Sequence, residues 1–134
     1  MIQVNNIAVL VAAVAGMVVG CVWFALFGKV WMKLSGITQK EAAKAKKKGM
    51  AAGYVGQFLV LLVMAYVLSM FINYLGAKTP AEAIGVGAWL WLGFVATTTA
   101  EKVIWEGKSV KLYLFNNVHN LLGIAVMAAV LAVM

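Results

Sequence analysis

The 134-residue chain is 65% hydrophobic and 11% charged, against roughly 45–50% and about 25% in soluble domains. A water-soluble protein this apolar would expose patches that aggregate, so a soluble globular domain is excluded and the bilayer is the expected solvent. One Cys and one His leave no disulfide framework and no Cys/His metal spacing, so neither a metal nor a cofactor is expected.

Four apolar runs, at about 6–28, 52–75, 80–106 and 112–133, each supply the ~20 residues that cross a ~30 Å hydrocarbon core. They show none of the two-residue alternation of membrane strands. The expected fold is therefore an all-α integral membrane protein, a single four-helix transmembrane domain over residues 1–134, because lipid offers backbone groups no partners.

The first run carries no Lys or Arg before it and continues to Gly28, so it is expected to be a retained helix rather than a cleaved leader. Within it, Ala8, Ala12, Gly16 and Gly20 recur every four residues. Small residues on one face let helix backbones approach closely in lipid, and the stripe predicts a close contact within the bundle or between copies.

The basic loop at 29–51 holds Lys29, Lys33, Lys40, Lys44, Lys46, Lys47 and Lys48 against Glu41. Its Thr38-x-x-Glu41 pattern has the form of a capping box. A short Lys-rich helix is expected from about Gln39 to Lys48, with Lys40, Lys44, Lys47 and Lys48 on one face toward anionic lipid head groups.

After the second run, Thr79-Pro80-x-Glu82 repeats the capping-box form with Pro at the first helical position, so the third helix starts near Pro80. Gly107 is its expected stop. Lys102, Lys108 and Lys111 sit in the following loop, whereas the second loop has only Lys78. The positive-inside rule then places the first and third loops in the cytoplasm and both termini outside, in a multi-pass protein of the inner (cytoplasmic) membrane. Topology and lipid account for the net charge of +7; a nucleic-acid partner is not expected, since the basic loop lacks interleaved aromatics. Trp31, Trp105 and Tyr113 suit the cytoplasmic aromatic belt.

The fourth run opens with Phe115-Asn116-Asn117-Val118-His119-Asn120. At 100° per residue, Asn116, His119, Asn120 and Gly123 share one arc that Met127 continues, with Asn117 to one side. Such an arc should face protein or water. Counting from Lys111, His119 lies about 12 Å into the bilayer. Gln57, Thr97 and Glu101 are expected at similar depth, forming with Asn116, Asn117, His119 and Asn120 a polar vestibule on the cytoplasmic side.

Gly20-Cys-Val-Trp23, Phe27-Gly28-Lys-Val-Trp31, Trp91-Leu-Gly93-Phe94 and a fourth helix bearing His119 resemble the bacterial membrane family called domain of unknown function 1761. The resemblance spans the whole chain and implies a four-helix membrane protein without an assigned reaction. Phe24 stands where the family often has Tyr, Val118 where an aromatic is usual, and the family's final Trp is missing.

Two functional classes follow. One is a small oligomeric transporter or channel for a small solute or ion, using the polar vestibule. The other is a structural or accessory membrane subunit, with the asparagines as helix-packing glue. A His-centred redox enzyme ranks below both, since one His and four acidic residues give little acid–base or ligand capacity. A homo-oligomer is expected.

Overall fold

A computed structural model describes residues 4–36, 38, 40, 41, 44 and 51–134. Among these residues all regular structure is helical. Four helical spans are long and apolar enough to cross a membrane.

Helix α1 runs over Asn6–Ser35. The Asn5 side chain caps it, accepting from the N–H groups of Ile7 at 3.1 Å and Ala8 at 3.2 Å. It continues past Gly28 and stops at Gly36, whose φ of +77° suits a residue without a Cβ. Nothing in the Lys29–Ser35 segment breaks a helix, so the element outruns the apolar run. Helix α2 spans Ala51–Tyr74. Its end is closed by two backbone bonds, Gly76 N–H to Asn73 O at 3.2 Å and Ala77 N–H to Ile72 O at 3.0 Å, the Schellman pattern that needs Gly76 at φ +72°.

The third span has three parts: α3 (Pro80–Leu90), a π-helical segment (Trp91–Ala96) and α4 (Thr97–Glu106). Thr79 caps α3 by accepting the Glu82 N–H at 3.1 Å. The Glu82 carboxylate reaches back to the Lys78 N–H at 3.1 Å, one residue earlier than the usual reciprocal bond. Helix α5 spans Val110–Val133 and starts on Ser109, whose hydroxyl accepts from Lys111 at 3.1 Å and Leu112 at 3.4 Å.

Of the expected Lys-rich helix, Lys40, Glu41 and Lys44 are helical and exposed, and Thr38 Oγ1 accepts the Glu41 N–H at 3.2 Å. Lys47, Lys48 and the rest of that segment lie outside the described residues.

The packing centres on α1 and α5, with α2 against α1 and α3 against α5. The central pair is antiparallel: Asn5 Nδ2 donates to Met134 O at 3.4 Å at one end, and Trp23 stacks on Phe115 toward the other. Both termini and the α2–α3 turn therefore share one end, called here the terminal end; the lysine end holds the other two connections. Ala8, Ala12 and Gly16 are buried. A Cβ on Gly16 would stand 3.1 Å from Met127 Sδ and 3.3 Å from Leu61 Cδ1, so α1, α2 and α5 meet there. A Cβ on Gly87 would approach Ile124 Cγ2 to 2.8 Å, which makes the α3–α5 crossing the tightest.

The apolar core is lopsided. It is built from Val9, Ala12, Ala13, Leu61, Ala65, Leu68, Ile72, Ala83, Ile124, Met127 and Ala128, all in the terminal half. In the lysine half α2 stands away from the bundle, with residues 51–57, 59 and 60 exposed.

Candidate functional site

The polar residues of α5 divide into two faces. Asn117 is 3% exposed and fully engaged with the third span. Its Nδ2 donates to Thr99 Oγ1 at 3.0 Å and to Tyr113 O at 2.9 Å. Its backbone carbonyl accepts the Trp91 indole N–H at 3.0 Å, and the Tyr113 hydroxyl donates to Ala96 O at 2.7 Å. The donors of this network all find partners, which is what a membrane interior demands.

The π-helical segment explains why these bonds meet α5. A π turn holds more residues than an α turn, so it offsets α4 in phase from α3 and disturbs the carbonyl ladder. Three consecutive threonines then bond back to the carbonyls before them. Thr97 reaches Gly93 O at 2.7 Å, Thr98 reaches Phe94 O, and Thr99 reaches Val95 O at 2.6 Å. Such back-bonding satisfies a hydroxyl within its own helix.

The second face carries Asn116, His119 and Asn120. All three are part-buried, and none of their side chains makes a hydrogen bond to another described residue. His119 lies against α1, with its ring centroid 5.8 Å from Trp23 and 5.4 Å from Phe24. Phe27 and Phe115 extend this aromatic wall at 4.8 and 5.1 Å from Trp23. Gly20 opens the space beside the imidazole, since a Cβ there would be 3.6 Å from Nε2. The Trp23 indole N–H is buried with no hydrogen-bond partner among the described residues; the ring faces around it are at best weak acceptors.

At 100° per residue Asn116, Asn120 and Met127 fall within about 40° of one another. At Met127 that arc is covered by α2 through Leu61. Two to three turns earlier, where much of α2 is exposed, Asn120 and Asn116 on the same arc are only part-buried.

The other expected site residues go elsewhere. Gln57 is exposed because its half of α2 stands off the bundle. Thr97 and Glu101 are exposed as well; their expected place beside α5 rests on depth, and depth does not fix which face of a helix a residue takes. Tyr113, expected in the aromatic belt, donates its hydroxyl to Ala96 O of the third span. The Tyr113/Asn117 pair, one turn apart, was the sequence signal for this network. Trp91 and Thr99 carried none that pointed to α5. Among the described residues no three of His, Cys, Asp and Glu come together as a metal site would require. Both described grooves are apolar. One of about 690 Å³ lies between α2 and α3 around Phe71, Tyr74 and Trp89, and one of about 470 Å³ lies between α1 and α2 around Leu10, Leu62 and Tyr66.

The profile of one protein family, described as Protein of unknown function (DUF1761), matches residues 7–132. No curated protein and no solved structure matches the chain.

Proposed function

We propose, for a chain that belongs to the DUF1761 family of proteins of unknown function, that it is a small oligomeric multi-pass transporter whose ligand face is Asn116, His119 and Asn120. The observation that supports this reading is the contrast within one helix turn. The Asn117 side chain bonds Thr99 and Tyr113, while the side chains of its neighbours Asn116, His119 and Asn120 bond no described residue. An unpaired polar group at membrane depth costs about 1–3 kcal/mol, so three on one arc call for a partner from outside the fold.

The lysine distribution supports an orientation with this face opening to the cytoplasm and the termini outside. Lys40, Lys44, Lys47 and Lys48 would hold anionic head groups at that surface. The packed terminal half offers no polar path through one protomer, so passage calls for a second copy or a rearrangement of α2. The inner (cytoplasmic) membrane is the proposed location.

A second reading, a structural or accessory subunit, is favoured by the Asn117–Thr99–Tyr113 network, which is packing glue. Osmotic swelling of proteoliposomes in a panel of small neutral and ionic solutes separates the two. Transport predicts that Asn120→Leu and His119→Leu slow the permeation of at least one solute while the melting temperature holds. If wild type permeates no faster than empty liposomes, the transport reading fails and the structural one stands.

A further inference from the structure

We propose that the part-buried face at Asn116, His119 and Asn120 takes an uncharged planar ring bearing carbonyl groups, a quinone-type head group that arrives through the lipid. The proposal rests on the reading of these three residues as a ligand face and adds the class of ligand.

Charge is the first discriminator. Asn and neutral His offer donors and acceptors but no net charge. Glu101 stands on an exposed face of α4 and Lys111 is two turns before His119. A free ion taken to this depth would find no counter-charge on this face, and an unpaired charge is far more costly there than an unpaired amide. An ion or zwitterion is therefore a poor occupant.

Shape is the second. Trp23, Phe24, Phe27 and Phe115 form a continuous aromatic wall beside His119. Phe24 and Phe27 keep 41% and 40% of their surface uncovered. Aromatic faces favour offset or tilted contact with another ring, and neither Phe24 nor Phe27 lines an apolar groove.

Hydrogen bonding is the third. Asn116 and Asn120 are one turn apart on the same arc, with Cβ atoms about 5–6 Å apart as for any such pair. Two carbonyl oxygens on one ring can accept from both amides, or from one amide and the imidazole. A ring without carbonyls would leave the amides unpaired. The site lies about 14 Å along α5 from Val110, a depth an amphipathic ring on a lipid tail can reach.

The test is equilibrium binding of radiolabelled menadione to the full chain in nanodiscs, with the partition into empty nanodiscs subtracted. Wild type is expected to bind saturably, and methylnaphthalene, the same ring system without carbonyls, is expected not to compete. His119→Leu and Asn120→Leu should each weaken binding about ten-fold or more, the loss of one good contact. Gly20→Ala, whose methyl would reach ordinary contact distance from Nε2, should weaken it several-fold without lowering the melting temperature. Val118→Leu, on an exposed face, should change nothing. The proposal is overturned if binding does not saturate above empty nanodiscs, or if both leucine variants bind as wild type at an unchanged melting temperature. In either case the swelling assay decides what falls with it. If Asn120→Leu still slows a solute there, the ligand class is wrong and the ligand face stands; if it slows none, both fail.

Discussion

Asn117 joins Thr99, Tyr113 and Trp91 through its side chain and carbonyl, so truncating it removes the side-chain link between α4 and α5 and opens a gap beside the π segment. Asn117→Ala is expected to cost about 1–3 kcal/mol, read as a lower melting temperature or a faster unfolding in denaturing detergent. Gly87 is a different kind of residue. Its missing Cβ would come within 2.8 Å of Ile124 Cγ2, an atom on a stiff β-branched side chain. Gly87→Ala should therefore destabilise by about 1–3 kcal/mol through overpacking. Gly85→Ala, with open space at its Cβ, should be neutral or slightly stabilising because alanine is the better helix former. Comparing the two variants in one melting experiment checks the α3–α5 crossing. The helical wheel found the arc of Asn116, His119 and Asn120. It could not say that Asn117, set off to one side, would be the buried one, because a wheel gives directions without saying which neighbour lies in each.

The helix ends were the most legible elements. Thr79-Pro80 and Gly107 act where their chemistry predicted, through a hydroxyl cap and a left-handed glycine. The π-helical segment at Trp91–Ala96 was not legible, since its residues look like any apolar membrane run and the extra residue in the turn leaves no periodic mark. Past that segment Thr99, and not Thr97 or Glu101, is the residue of α4 that meets Asn117. Deleting Gly93, whose surroundings are open, would let the segment return toward α-helical phase. Relative to α3, the α4 helix would then turn by about 100°. Thr99 would leave Asn117 and Tyr113 would lose Ala96. The deletion variant should melt lower, and combining it with Asn117→Ala should add little further loss. Fully additive losses would show that the two do not share one network.

The whole molecule is a tight terminal half joined to a looser lysine half. Composition made the four spans plain and packing made them a bundle, but nothing in an apolar sequence told where α2 would part from its neighbours. The lysine distribution predicts cytoplasmic lysine-side connections and external termini. A phosphatase fused after Met134 should be active and a fluorescent protein there dark; the reverse pattern would invert the orientation. Hydrogen exchange should be faster in residues 51–60 of α2 than in 61–72, because in the first stretch only Phe58 packs against the core. The account turns on α5 having one face that holds the fold and one that awaits a ligand. The most direct test is the paired melting temperature, in bilayer nanodiscs, of Asn117→Ala and Asn120→Ala. The account predicts a fall of several degrees for Asn117→Ala and little or none for Asn120→Ala; equal falls would contradict it.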